Sequence, residues 1–377
     1  MAKKTNTVET KSENKQAVFR YILNHGTATK QDLYIGLGLS FPTIKQCMGF
    51  LEDNHLITPI EKVRNTGGRS ATSYSVLNTS YYAIGVFISL NHITAVCVDL
   101  SGNIIQMKRF REPLNLQTES YLQLIGNTVQ KVKEAAGVAD DAILGIGLSV
   151  PSLVSEDGES IIYGMTTDFT GITREVLSRY IPYPTKMFHD SESAAIAETW
   201  KTSEYQNVIY FNLNNSIGSS IILDGKIYRG NHCLAGEIGH VIVNRNSKKK
   251  CYCGQMGCFD TECSASVLDS YTDGNLEKFF QLLSQKDEGA VKIWDTYLEY
   301  LSIMILNQKK MFDCSIIIGG YVGNHIEPYM KDLYKKIDEI SVFAPNSKDY
   351  VFPCRYKQEA TAAGAAIQII DNFINAL

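Results

Sequence analysis

No apolar run in this 377-residue chain approaches the ~20 residues that a membrane-crossing helix requires, which excludes α-helical spans. The amino-terminal stretch MAKKTNTVETKSENK also lacks any apolar segment, so the sequence predicts no secretory signal and a cytoplasmic location. A disulfide framework is missing as well. The nine cysteines are odd in number and unevenly spaced, and Cys47, Cys97, Cys314 and Cys354 fall in apolar contexts where buried free thiols are expected. That usage suits a reducing compartment. What remains is the composition of a soluble globular protein, 44% apolar and 20% charged, long enough for two or three domains.

Charge is unevenly placed. Residues 1–70 hold ten Lys/Arg and six Asp/Glu, whereas the remainder holds 26 and 34. A basic head on an acidic body predicts that only the head meets a polyanion.

The densest chemical signal is the 22-residue stretch Glu237–Cys258, EIGHVIVNRNSKKKCYCGQMGC. His240, Cys251, Cys253 and Cys258 offer one imidazole and three thiolates, the ligand set of a closed structural Zn²⁺ site. The spacing also admits Cys263 in place of His240, or a cysteine loop that holds no metal.

Residues 14–24 place Val18, Phe19, Ile22 and Leu23 at helical spacing. Thr29 with Asp32 three residues on predicts the capped start of a second, short helix that stops near Gly36 to Gly38. Ser40 caps a third, with Pro42 in its first turn and Ile44, Cys47, Met48 and Leu51 on one face. Two strands follow, LITPIEKVR and ATSYSVL, joined by a turn with Arg64 and Arg69 at its flanks. The pattern predicts a winged helix-turn-helix over 14–80, preceded by a disordered tail, 1–13. Ser40, Thr43, Lys45 and Gln46 are the candidate groove contacts, and Arg64 and Arg69 the candidate wing contacts to operator DNA. A three-helix protein-interaction module is the other reading of these residues.

From residue 82 a strand–strand–strand pattern begins, and it returns at 208; each is followed by alternating helices and apolar strands such as ILGIGLSV and SIIIGG. A repeated unit of this kind predicts two related α/β lobes facing a ligand cleft, with lobes at 81–200 and 201–377.

With these elements, AGEIGH followed by CYCGQMGC resembles the E-x-G-H, spacer, C-x-C-G-x-x-G-C signature of the ROK family (repressors, open reading frames and sugar kinases). The chain is similar to the family's transcriptional-regulator branch, whose members include xylose-, N-acetylglucosamine- and glucose-responsive repressors. The resemblance implies an actin-like body, of the ribonuclease H-like sugar-kinase type. It also implies a structural zinc held by His240, Cys251, Cys253 and Cys258, and a sugar effector bound by Asp190, Glu237, His240 and Asp260.

Asp190 of FHDSESAAIAE falls on the position of the family's catalytic base, and could also serve as a helix cap. His189 and Glu192 stand where the family has Asn, and Asp260 where it has Glu. Where family kinases carry the phosphate loop D-x-G-G-T, this chain has Phe87-Ile88-Ser89-Leu90-Asn91. A Phe cannot coordinate the metal-bound phosphates, so kinase activity is expected to be lost, leaving Asp190 as a remnant. The second phosphate segment is degraded to Asn215-Ser216-Ile217-Gly218, while Gly319-Gly320 is either a nucleotide-side turn or a plain strand-to-helix turn. The expectation is a sugar-responsive regulator, a repressor of carbohydrate-utilisation genes, acting as a homodimer or homotetramer. The rival readings are an ATP-dependent sugar kinase with a zinc site and a constitutive DNA-binding protein.

Overall fold

A computed structural model describes residues 7–60, 71–164, 169–202, 204–343 and 346–377. The expected wing residues Arg64 and Arg69 lie outside the described residues.

The head comprises α1 (Thr7–His25), β1 (Ala28–Thr29), α2 (Lys30–Leu37), α3 (Phe41–Asp53), β2 (Ile57–Ile60) and β3 (Ser73–Val76). The strands form an antiparallel sheet ordered β1-β3-β2. Local chemistry sets the helix starts. The Thr29 hydroxyl accepts from the Asp32 N–H at 3.2 Å, and the Asp32 carboxylate accepts from the Thr29 N–H at 2.8 Å. Gly38 ends α2 in the left-handed conformation, and Ser40 caps α3. Ile44, Cys47, Met48 and Leu51 of α3 are buried with Val18, Phe19, Ile22 and Leu23 of α1. One boundary differs from expectation: α1 begins at Thr7, so residues 7–13 are helical rather than a disordered tail.

The first lobe runs β4 (Tyr82–Ile88), β5 (His92–Asp99), β6 (Ile104–Arg111), α4 (Glu119–Ala136) and β7 (Ile143–Val150). It continues through the hairpin β8 (Leu153–Val154) and β9 (Ile161–Tyr163), then α5 (Arg174–Leu177), β10 (Thr185–His189) and α6 (Asp190–Thr199). The second lobe opens with β11 (Val208–Leu213), β12 (Ile217–Leu223) and β13 (Lys226–Ile227). Helices α7 (Phe259–Cys263), α8 (Ala265–Asp269), α9 (Leu276–Ser284) and α10 (Glu288–Phe312) follow. Then come β14 (Ser315–Gly319), α11 (Gly320–Ile326), α12 (Met330–Ile340), β15 (Val351–Pro353) and α13 (Ala360–Asn375).

The two five-stranded sheets, β6-β5-β4-β7-β10 and β13-β12-β11-β14-β15, have one topology. In each, the first three strands are antiparallel and the fourth and fifth run parallel to the first. The central strands β4 and β11 are buried almost throughout, which is why they read as unbroken apolar runs rather than alternating ones. This duplication is the actin-like, two-lobed α/β arrangement. Among the described residues no helix is long and apolar enough to cross a membrane. Cys47, Cys97, Cys314 and Cys354 are buried free thiols.

The last helix departs from the expected division. Although α13 follows the second lobe in sequence, it packs against β4, β7 and α6 of the first. Its run ATAAGAA permits backbone-to-backbone approach: a Cβ on Gly364 would lie 1.7 Å from the Ser193 carbonyl oxygen of α6. The carboxyl-terminal end of α13 also meets the head. Arg20 of α1 donates to Asp371 at 2.7 Å and to the Asn375 side chain at 2.9 Å, and Gln16 donates to the Asn375 carbonyl at 2.8 Å.

Candidate functional site

His240, Cys251, Cys253 and Cys258 converge, with their ligating atoms all within 4.8 Å of one another. Tetrahedral thiolates at the ~2.3 Å Zn–S distance stand about 3.8 Å apart. The Cys253 and Cys258 sulfurs are 3.7 Å apart, and Cys251 Sγ lies 3.5 Å from His240 Nδ1. The cluster therefore fits a single tetrahedral ion. Cys263 takes no part: it is fully buried and its thiol donates to the Tyr297 carbonyl at 3.4 Å. The loop folds this way because Cys251 and Gly254 exchange a turn hydrogen bond of 2.9 Å, and Gly257 takes φ +74 where a Cβ would strike the Asn244 carbonyl. Lys248, Lys249 and Lys250 are exposed on its rim.

The imidazole of His240 joins this cluster to a pocket. While Nδ1 faces Cys251, Nε2 points the other way, 3.9 Å from Glu237 Oε2. Tyr252 holds the ring edge-on at 4.9 Å between centroids. Asp190, Glu237 and His240 all line one cavity of about 60 Å³, open at its mouth. Pro151, Leu153 and Tyr163 come from the first lobe, Ser216, Gly218 and Tyr252 from the second.

Asp190 is the first residue of α6, directly after β10, and is not its cap; His189 holds the cap position. Its carboxylate accepts from the Ser191 N–H at 2.7 Å and from the Asn212 amide of the second lobe at 3.2 Å. His189 Nε2 lies 3.2 Å from the same carboxylate. Burial pushes the Asp190 carboxyl above the usual range, with His189 and the Ser191 N–H acting in the opposite sense. The group is thus a buried carboxylate at the junction of the lobes that lines the cavity.

Two residues from the sequence reading are placed elsewhere. Asp260 does not line the cavity; its carboxylate turns back to accept the Ile217 N–H at 2.6 Å, fixing the start of β12 behind the cavity wall. Burial raises its carboxyl and the Ile217 N–H opposes this. Asp260→Ala is expected to cost about 1–3 kcal/mol of stability by orphaning that N–H, with a smaller loss of ligand affinity than any change at Asp190. Lost ligand affinity at unchanged melting temperature would place Asp260 on the ligand instead. Glu192 also faces away, forming a two-pronged pair with Arg229 of the second lobe at 2.6 and 2.8 Å.

A larger cleft, about 620 Å³, lies beside Asp190 and includes Phe87, Ser89, Asn91, Asn214 and Tyr321. Phe87 and Ile88 end β4, and Ser89-Leu90-Asn91 form the plain β4–β5 hairpin turn, closed by Ser89 donating to the His92 carbonyl at 3.1 Å. Gly319-Gly320 is the strand-to-helix turn between β14 and α11, and its N–H groups are already taken. Gly320 donates to the Tyr210 hydroxyl at 3.3 Å and Tyr321 to the Asn214 side chain at 2.8 Å. Tyr321 and Ser89 both line this cleft.

On the head, Ser40, Lys45 and Gln46 are exposed and Thr43 half-buried along one side of α3. The Ser40 and Thr43 hydroxyls bond each other at 2.9 Å, which the sequence reading did not anticipate for two independent contacts.

The Xylose repressor of Bacillus subtilis (strain 168) is 22% identical over 377 residues, covering 97% of each chain. A crystal structure of a ROK family transcriptional regulator, a homologue of the E. coli MLC protein, superposes with a TM-score of 0.76 at 21% identity, covering 98% of both chains. A ROK family glucokinase from Streptomyces griseus, solved with glucose and AMPPNP, gives 0.64 at 20% identity and covers 76% of this chain and 98% of its own. The family model described as ROK family matches residues 83–372, which is the whole two-lobed body, and the chain belongs to the ROK family.

Proposed function

We propose that this chain is a sugar-responsive transcriptional repressor of carbohydrate-utilisation genes. Its winged helix-turn-helix head binds operator DNA, and its body senses a sugar, in the cytoplasm, as a homodimer or homotetramer. Xylose and other aldoses head the panel of effectors, given the relative named a xylose repressor.

One observation carries this reading: two packed helices, α6 and α13, link the pocket to the head. Helix α6 starts at Asp190 in the pocket and is followed directly by Trp200, whose indole N–H donates to Asp371 Oδ1 at 2.8 Å. The same oxygen accepts from Arg20 of α1. Because α6 and α13 touch backbone to backbone, they shift as one body. A sugar that engages Asp190, Glu237 and His240 draws the lobes together and moves this pair against α1. Sugar then weakens DNA binding by favouring the state with the wrong spacing of the paired heads.

His240, Cys251, Cys253 and Cys258 would hold Zn²⁺, which would supply a fixed charge and a rigid brace. With Nδ1 facing Cys251, His240 would hold the ion through that nitrogen and would leave Nε2 free to donate to a sugar oxygen or to Glu237. Glu237 and Asp190 accept from vicinal hydroxyls, as carboxylates do.

Phosphoryl transfer is lost in this reading. Phe87, which lines the cleft, offers no ligand for a phosphate-bound cation. An ATP-coupled assay with hexoses, pentoses and N-acetylhexosamines is expected to show no turnover approaching the ~1 s⁻¹ lower range of kinases; such turnover would restore the kinase reading.

The test of the linking pair of helices is Asp371→Ala, at the α13 end of the chain of contacts. Sugar affinity and sugar-free DNA affinity are expected to stay near wild type, because Arg20 and Asp371 are each about a third exposed and an exposed pair contributes little alone. The ratio of DNA affinities with and without sugar is expected to fall toward one from the roughly 5–150-fold typical of coupled sites. An unchanged ratio would remove this contact from the mechanism.

A further inference from the structure

The recognition helix begins with an aromatic side chain that the repressor reading leaves unused. Phe41 is the first residue of α3 and is 47% exposed. Its ring stacks on Tyr34 of α2, 4.8 Å between centroids and 12° from parallel, and Tyr34 is itself 45% exposed. A stacked pair of this kind is held in place, with one ring face covered and the rest open to water. Phe41 lies one turn before the exposed Lys45, so the two share a side of the helix.

The polar groups at this end of the helix are partly spent. The Ser40 hydroxyl caps the Thr43 N–H at 3.4 Å and is bonded to the Thr43 hydroxyl. That leaves Phe41, Lys45 and Gln46 to face outward from the start of α3. In a helix-turn-helix these amino-terminal positions are the ones that meet base edges. The local charge is positive, as a DNA-facing surface requires. Among the features that base pairs display in the major groove, one is apolar, the C5 methyl of thymine, and a Phe side chain is suited to it.

We propose that Phe41, held by Tyr34, is a specificity-determining residue that reads a thymine methyl in each operator half-site. This rests on the DNA-binding reading of the head. The site is first located by footprinting the full-length protein on the DNA flanking its own gene. Each thymine in the footprint is then replaced singly by uracil, which removes only the methyl. One replacement per half-site is expected to weaken wild-type binding about three- to tenfold, on the scale of a buried methyl group. Phe41→Ala is expected to lose a similar factor on the thymine operator and to be indifferent to the same replacement. Phe41→Leu, which keeps an apolar side chain, retains part of the discrimination. Affinity for unrelated DNA and the salt slope stay unchanged in both variants, because a Phe neutralises no phosphate.

If Phe41→Ala remains as sensitive to uracil as wild type, or if it loses specific and non-specific binding together, the inference is overturned. Site-specific wild-type binding that no uracil replacement alters overturns this inference alone. Absence of any DNA binding by the wild type overturns the repressor reading along with it.

Discussion

Asp190→Ala is expected to abolish the sugar response while leaving sugar-free DNA binding intact. The carboxylate is buried at the meeting point of both lobes, and no other acid sits at the start of α6 facing the cavity. Each charge-assisted hydrogen bond to a sugar hydroxyl contributes roughly 1.5–3 kcal/mol, so losing two lowers sugar affinity by about 100-fold or more. The deletion also leaves the Ser191 N–H and the Asn212 amide without their acceptor, so some stability goes with it. Asp190→Asn separates the two effects. It keeps an oxygen for those donors but removes the charge, and is expected to restore stability without restoring full affinity. Isothermal titration with the effector, beside DNA binding by anisotropy, measures both quantities. Sugar release of DNA that survives in Asp190→Ala would mean that the pocket lies elsewhere.

Removing the metal is expected to have the second largest effect. Cys253→Ser, or treatment with a strong chelator, should lower zinc content from one ion per chain and lower the melting temperature by about 10 °C. That is the shift which a loss of roughly 3–5 kcal/mol produces in a domain of this size. Sugar affinity falls as well, because His240 loses the ligand bond that fixes Nδ1 and so the direction of Nε2. DNA affinity without sugar is expected to change little, since the cluster lies in the second lobe and the head contacts α13. Zinc retained in full by Cys253→Ser would refute its place among the ligands, and metal loss without any thermal shift would refute the structural role.

What the sequence made legible follows the range of the interactions involved. The cysteine cluster lies within one 22-residue stretch, so its spacing alone brought the ligands together, though it left Cys263 and His240 unresolved. Geometry separates them: Cys263 sits on the buried face of α7 and is bonded to α10, while His240 follows a short turn that points Nδ1 at Cys251. The helix starts at Thr29 and Ser40 were equally local, set by side chains reaching three residues ahead.

Long-range placements were not legible. Asp260 matched the family pattern by position, yet its carboxylate serves a backbone N–H 43 residues earlier in the chain. Glu192 was marked as a departure near the pocket, but Arg229 of the other lobe draws it to the opposite side. The return of α13 to the first lobe is a tertiary choice, made possible by small residues and invisible to periodicity. Phe41 escaped notice because an aromatic at helical spacing reads as core, and only its exposure and its Tyr34 partner show otherwise.

The most direct measurement is binding of the full-length protein to the DNA flanking its own gene, across a salt series, with and without a panel of sugars. The account predicts tight, site-specific binding with a steep salt dependence, weakened at least fivefold by one sugar and by that sugar no longer in Asp190→Ala. Weak, sequence-independent binding that no sugar alters would contradict it.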